Sequence, residues 1–382
     1  MMVSPLTVNR PAMHMNFLSL SRHPVLWQGD GRDMAAQHIL TFAQDLSGGG
    51  VERAQLRLAR GWLAAGRRVT LAIGDSRGPL AREIPPGLAL ESLGGRGYAR
   101  QFRLPELVRR LRPDAIFCPG NHYTLVAAWL RARLGADCPP IVAKMSNATR
   151  RGDHGRLFGA GHRLWLAQHG RFLDHLVAMT PATAAQAARA TRMELRTSVI
   201  PNPPAPHDAA APGYALPHGR VVLGVGRLAP QKRWDRLIAA APWLPDDVQL
   251  VILGEGELRP ALERQIDDAG LTARIHLPGH VDDPLPVMAA ANVLALASDY
   301  EGVPGVLRES LSVGTPVVAT ACSPSVREIV ATPAHGSIVT ADDPRALAAA
   351  LTYWLDAPRP APVPQPGTDS AERYLALFDA LA

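Results

Sequence analysis

The chain alternates short apolar runs with segments whose apolar residues recur every three to four positions. In the first half the runs cover 38–44, 68–73, 114–118, 141–144, 176–178 and 198–200. Helical periodicity fills 51–65, 105–111, 125–134 and 181–191 between them, with Thr180 and Pro181 suited to a helix start. Strands this short and this apolar suit a parallel sheet covered on both faces by its crossover helices. A stretch rich in Pro, Ala, His and Gly at 201–217 breaks the pattern and reads as a linker. The alternation then resumes, with strands expected at 221–225, 249–253, 274–277, 293–297 and 316–319 and helices at 233–241, 258–269, 306–313 and 345–355. After a Pro-rich segment at 357–367, Tyr374, Leu375, Phe378 and Leu381 mark one buried face of a last helix over 369–382. The pattern predicts an α/β chain of two Rossmann-like, doubly wound parallel-sheet domains. Such domains bind ligands at the C-terminal edges of their strands, so a cleft between two of them is the expected site.

Composition sharpens this picture in three places. At 382 residues the chain exceeds one ordinary core, and 47% hydrophobic content is that of a globular protein. No apolar run reaches the ~18 residues of a membrane-spanning helix. Residues 1–35 read as a poorly ordered extension without a signal-peptide pattern, Met34 being an alternative start, so a cytoplasmic protein is expected. The net charge of +6 conceals an asymmetry: residues 1–200 hold 27 Lys and Arg against 13 Asp and Glu, residues 201–382 hold 13 against 21. A first half at +14 suits an anionic partner such as a phosphorylated glycolipid or a membrane surface, while the second stands at −8. Nucleic acid is not expected, because aromatic content is only 5% and neither an RNP-type pattern nor a zinc finger is present. Of 40 basic residues only Lys144 and Lys232 are lysines, which hints at positions that need a compact charge rather than a planar fork. Cys118, Cys138 and Cys322 have spacings that fit neither a disulfide framework nor zinc, and His154, His162, His169 and His175 read as surface residues.

The chemistry-bearing pattern is Ser298-Asp-Tyr-Glu301-Gly302-Val303-Pro304-Gly305-Val-Leu-Arg-Glu309, followed by Gly314-Thr-Pro316-Val-Val-Ala. It places Glu301 in a loop after a strand and Glu309 within the next helix. Gly302, Val303, Pro304 and Gly305 form a loop before a helix N-terminus, where the free N–H groups, of which Pro304 has none, receive phosphate or sugar oxygens. Carboxylates accept hydrogen bonds from paired hydroxyls, so the two glutamates suit a sugar and a ribose. Upstream, Gly224-Val-Gly226-Arg227-Leu-Ala-Pro-Gln-Lys232 sets two cations after a strand, and fixed cations stabilise a departing diphosphate.

Glu301 and Glu309, with seven residues between them, resemble the E-x7-E signature of the retaining, GT-B-fold glycosyltransferase family 4. The Gly226-Arg227-Leu…Lys232 segment is similar to the diphosphate-binding stretch of that family. Ser47-Gly48-Gly49-Gly50-Val-Glu-Arg resembles its first Gly-rich loop, giving Gly49 and Gly50 a place beside the donor. Leu277-Pro-Gly279-His280-Val281 looks like the loop whose backbone meets the base. The resemblance implies a nucleotide-diphosphate sugar such as a UDP-sugar as donor, no metal, and a glycan or glycolipid acceptor of cell-envelope polysaccharide synthesis, at the cytoplasmic membrane face. It assigns catalysis to Glu301, Arg227, Lys232 and, near the sugar's C6 side, His122; Glu309 would bind the ribose. Lys144 and Asn147, just past a strand end, are candidates for the acceptor. The implied division is an acceptor domain at 36–204, a linker at 205–217, a nucleotide-sugar domain at 218–360, and a segment at 361–382 crossing back to the first domain. Absence of a D-x-D triplet agrees with metal independence, Asp299-Tyr300-Glu301 being the nearest imitation. A sugar-nucleotide epimerase or an inactive nucleotide-sugar binder would share the cleft and remain alternatives.

Overall fold

Two parallel sheets form where the apolar runs fall, each run shielded by the helices that follow it. The computed structural model describes residues 35–47, 49–147, 156–205, 213–340 and 343–382. The extension at 1–34, Gly48, His154 and the middle of the linker lie outside the described residues.

The first sheet is built from β1 (His38–Asp45), β2 (Arg68–Asp75), β3 (Ala89–Ser92), β4 (Ala115–Cys118), β5 (Ile141–Lys144), β6 (His175–Ala178) and β7 (Thr197–Val199). Its order is β3-β2-β1-β4-β5-β6-β7, all parallel, so the winding reverses between β1 and β4. The helices of this half are α1 (Gly50–Ala64), α2 (Leu104–Leu111), α3 (Thr124–Leu134), α4 (Arg156–Leu166) and α5 (Pro181–Thr191). The start of α5 is fixed by a reciprocal pair: the Thr183 amide donates to Thr180 Oγ1, and the Thr180 amide to Thr183 Oγ1.

The second sheet holds β8 (Arg220–Val225), β9 (Val248–Leu253), β10 (Ile275–Gly279), β11 (Val293–Leu296), β12 (Val317–Thr320) and β13 (Gly336–Val339), in the order β10-β9-β8-β11-β12-β13. Around it run α6 (Trp234–Ala240), α7 (Arg259–Asp268), α8 (Leu285–Ala290), α9 (Gly305–Ser312), α10 (Pro324–Ile329) and α11 (Pro344–Asp356). Its reversal lies between β8 and β11, which brings the loop after β8 beside the loop after β11. Those two loops carry the two motifs of the second half.

The last helix, α12 (Ser370–Asp379), packs on the first sheet. Tyr374 and Phe378 join Trp62 of α1 and Phe117 of β4 in one buried edge-to-face cluster, with ring centroids 5.3 Å (Trp62–Phe117), 6.0 Å (Trp62–Tyr374) and 5.3 Å (Trp62–Phe378) apart. Asp379 ties the helix down further by accepting from the Ala36 amide and from Arg67. The last segment and the linker meet as well, for Ser370 Oγ donates to the Pro201 carbonyl at 2.7 Å.

One sequence expectation is corrected here. His169 is buried rather than exposed, because its ring fills the space between Trp165 and Phe172 and bonds the Trp165 carbonyl. Burial lowers its pKa to about 4.

Candidate active site

The loop after β8 is rigid for reasons local to its sequence. Trp234, buried at the start of α6, donates its indole N–H to the Arg227 carbonyl at 2.8 Å, and the Leu228 amide bonds Glu255 O. Gly254 has φ +148°, and a Cβ there would sit 2.0 Å from the Gly226 carbonyl oxygen, so only glycine lets these two loops lie together. Arg227 emerges exposed from this platform, and its guanidinium has no ion-pair partner among the described residues. Lys232, five residues on, reaches across to the loop after β11 and donates to Glu301 Oε1 at 2.7 Å.

Glu301 is thereby held from two sides, since Ser298 Oγ also donates to Oε1, at 2.9 Å. Thr320 at the end of β12 fixes the Ser298 carbonyl in turn. The Glu301 amide donates to the Cys322 carbonyl. The neighbouring Asp299 is engaged elsewhere, by Arg233 and Arg236, so Asp299 and Glu301 each have their own cation. Among the described residues no group of three or more His, Cys, Asp or Glu is placed to hold a metal ion. Beyond Glu301 the chain turns through buried Gly302, half-buried Val303 and buried Pro304 to the exposed Gly305, where α9 begins without a side-chain cap. The Leu307 amide donates to the Pro304 carbonyl, which leaves the Gly305 and Val306 amides of the first turn for an acceptor group from a ligand. Glu309, a turn later, is half-buried. Burial raises its pKa, opposed by Arg57 and Arg53 of α1.

Those two arginines show that the first half faces this site. The guanidinium of Arg57 is desolvated, which lowers its pKa against the pull of Glu309. Its Nε is buried without a partner among the described residues. Arg53 pairs with Glu83 at 2.9 Å. Sequence reasoning missed both arginines and Glu52, though the Gly-rich motif ran straight into them. Gly49 and Gly50 sit where α1 starts, with open space around the Gly50 Cα.

At Gly302 the two halves meet backbone to backbone. A Cβ on it would lie 2.2 Å from the Ser146 carbonyl oxygen and 3.0 Å from Asn147 Cα, so its lack of a side chain serves the approach of the first half rather than of a ligand. The Ser146–Asn147 backbone is itself fixed by Asn121, whose Oδ1 accepts from both amides at 2.8 and 3.1 Å. Asn147 thus stands where the two halves meet. Replacing Gly302 with Ala should force the loop or the whole half aside. A misplacement of that size lowers rates by about 100-fold, so kcat/KM for Gly302→Ala should fall by that order with little change in the melting temperature. Unchanged kinetics would contradict this account of the contact.

His122 follows β4 beside Asn121, its ring edge-on to Tyr98 and Tyr123 at 4.7 and 5.2 Å. Burial lowers its pKa, favouring the neutral imidazole. Val281 is half-buried after β10, next to an ion pair between Asp282 and Arg82 of the first half at 2.9 Å. Lys144 is the clear departure from expectation. It was placed at the cleft surface as an acceptor contact, but it is 1% exposed, so its ammonium cannot meet an acceptor here. It ends β5 inside the continuing sheet and donates to Asn202 Oδ1 at 3.2 Å. A cavity of about 670 Å³ also touches Ser298 and Cys322, but its lining includes none of Arg227, Lys232, Glu301 or Glu309.

Two facing parallel-sheet domains, with paired cations and carboxylates on the strand ends of the second, define the GT-B glycosyltransferase class, and the chain belongs to it. Residues 48–204 match the family described as Glycosyltransferase Family 4, and residues 219–357 match Glycosyl transferases group 1, so the matches span most of the chain. A lipopolysaccharide core biosynthesis glycosyltransferase, LpsE of Rhizobium meliloti, is 39% identical over 100 residues, covering 26% of this chain and 29% of LpsE. An N-acetylgalactosaminyltransferase of Campylobacter jejuni acting on a diphospho-undecaprenol-linked sugar is 34% identical over 137 residues, covering 36% of this chain and 38% of its own length. The matched region thus spans about a third of each relative. The fold is shared with Anabaena HepE, solved with UDP and glucose, at a TM-score of 0.68 and 20% identity over 90% of this chain and 95% of HepE.

Proposed function

We propose that the chain transfers a sugar from a nucleoside diphosphate to a hydroxyl of a glycan or glycolipid, in the synthesis of a cell-surface polysaccharide or lipopolysaccharide. The observation that carries this reading is the Lys232–Glu301 pair beside exposed Arg227, which joins two motifs 69 residues apart. In this reading Arg227 and Lys232 meet the diphosphate, Glu309 accepts from the ribose hydroxyls, and Glu301 with the N–H groups of Gly302, Val303 and Gly305 orients the sugar. The bond from the sugar's anomeric carbon to the diphosphate oxygen breaks as the acceptor oxygen attacks the same face. The leaving phosphate oxygen takes the acceptor's proton, and configuration is retained. Charge gathering on the diphosphate is met by two fixed cations, which supply the stabilisation a divalent ion would otherwise give. In the same reading His122, whose lowered pKa favours the neutral ring, accepts or donates one hydrogen bond at the sugar's edge.

The reported relatives are transferases, which gives no support to an epimerase or an inactive binder. UDP is the first donor nucleotide to try, given HepE, and an anionic acceptor suits the basic first half. No described helix is long and apolar enough to cross a membrane. The cytoplasmic membrane face is the proposed place of action on the family resemblance and the basic first half alone. Thermal unfolding with UDP, GDP and ADP in EDTA tests the reading. The matching nucleotide at about 100 times its dissociation constant should stabilise the fold by about 2.7 kcal/mol. Glu309→Ala should abolish that shift. A shift that requires added magnesium, or none with any nucleotide, would count against the proposal.

A further inference from the structure

The loop between β11 and α9 is anchored residue by residue from outside itself. Arg236 of α6 donates to the Ala297 carbonyl at 2.8 Å, and Thr320 Oγ1 donates to the Ser298 carbonyl at 2.6 Å. The Asp299 amide donates to the Gln231 carbonyl at 3.0 Å, while Gln231 Nε2 donates to the Tyr300 carbonyl at 2.8 Å. The Glu301 amide reaches the Cys322 carbonyl at 3.1 Å, and Ser325 Oγ donates to the Gly302 carbonyl at 3.0 Å. Every residue from 297 to 302 thus has a backbone group held by a neighbouring strand, helix or loop. A backbone satisfied in this way needs no further hydrogen bond from its own side chains to keep its course.

The Ser298 hydroxyl stands apart from that scheme. The residue is fully buried, so it cannot touch a ligand, and its Oγ donates to Glu301 Oε1 at 2.9 Å rather than to a carbonyl. Lys232 Nζ donates to the same oxygen at 2.7 Å. Both donors therefore fall on Oε1, and Oε2 takes no hydrogen bond among the described residues. A carboxylate turns broadly about its last bond, exchanging its two oxygens, unless something distinguishes them. The two donors differ in what else they can serve. An ammonium carries three N–H groups on a flexible stem and can turn toward a bound diphosphate. A serine hydroxyl has one hydrogen to give, and here the carboxylate receives it.

We propose that Ser298 is a positioning residue that acts through Glu301: its hydroxyl holds Oε1 while Lys232 attends to the diphosphate, so that Oε2 is kept for a hydroxyl of the donor's sugar. This rests on the reading that Glu301 orients the sugar. Two consequences separate this role from upkeep of the loop. Losing the hydroxyl weakens the hold on the sugar and spares the nucleotide, because Arg227, Lys232 and Glu309 remain in place. The effect also vanishes once Glu301 is gone, since the serine then has nothing to position. The backbone anchors of 297–302 do not involve the hydroxyl, so its removal leaves the loop standing.

Calorimetric titration with UDP and with UDP-glucose, UDP-galactose and UDP-N-acetylglucosamine tests this without an acceptor. Where GDP or ADP is the nucleotide that binds the wild type, its sugar conjugates take their place. Ser298→Ala should bind the nucleotide within about twofold of the wild type and the best-bound conjugate about fivefold more weakly. Glu301→Ala should weaken that conjugate by about tenfold or more. Adding Ser298→Ala to Glu301→Ala should change nothing further, as for two residues that act as one unit. Equal losses for nucleotide and conjugate, or additive losses in the double variant, overturn the proposal. So does wild-type affinity in Ser298→Ala when Glu301→Ala is impaired. Glu301→Ala with wild-type affinity for the conjugate, or a wild type that binds none of the nucleotides, instead overturns the reading on which the proposal stands.

Discussion

Lys232→Ala should reduce kcat by two to three orders of magnitude. Losing a preorganised donor to developing charge costs about 3–4 kcal/mol of transition-state stabilisation, and this substitution does two things at once. In the proposed reading it removes a cation from the diphosphate, and it leaves the Glu301 carboxylate with Ser298 as its only hydrogen-bond partner to Oε1 among the described residues. The lysine stem also packs along the loop glycine: a Cβ on Gly226 would come 3.2 Å from Lys232 Cε. Lys232→Arg should therefore recover only part of the rate, because the wider guanidinium cannot lie in that groove. Steady-state kinetics with the donor identified by unfolding shifts would decide it. A Lys232→Ala enzyme within threefold of the wild type would remove this residue from the mechanism.

Trp62→Ala should be the most destabilising single change in the first domain. Trp62 is fully buried and touches the sheet through Phe117 and the last helix through Tyr374 and Phe378. Truncating a buried tryptophan costs about 3–5 kcal/mol, and here the void would open between two elements rather than within one. The first unfolding transition should fall by about 10 °C, accompanied by faster proteolysis of α12. Trp62→Phe should be much milder, since the indole N–H it removes has no hydrogen-bond partner among the described residues. A melting temperature unchanged in Trp62→Ala would mean that α12 is not part of this core.

The sequence pattern announced the central strands because their burial is nearly complete. Ile141–Lys144 and the runs around it have no polar alternation to confuse with a helix. Of the four edge strands, β7 and β10 were read, while β3 and β13 were missed for the converse reason. Ala89–Ser92 is mostly exposed on both faces, and Gly336–Val339 opens on a glycine with a single neighbour strand, so neither needs an apolar run. Short helices such as Pro324–Ile329 span too few turns to show a period.

At the site, the second-half motifs were legible since each lies within one loop-and-helix stretch. What could not be read was which first-half groups face them, because that depends on how two sheets meet. Arg57 opposite Glu309, and Ser146 against Gly302, are separated by more than 150 residues. Lys144 was misplaced because a charged residue closing an apolar run ordinarily marks the surface. Here the sheet and α1 cover it, and only its rarity in an arginine-rich chain gave a signal.

The docking of α12 on the first sheet sets an order of assembly during synthesis. The second sheet, from Arg220 to Val339, is contiguous in the chain and has its core to itself. The first sheet is complete by Val199, yet the aromatic face around Trp62 stays uncovered until Tyr374 and Phe378 have left the ribosome. The part made first is therefore finished last, after its neighbour has had time to fold. A ribosome stalled before residue 370 would present a settled second domain joined to a first domain with an open apolar flank, which is where a chaperone or a protease would act.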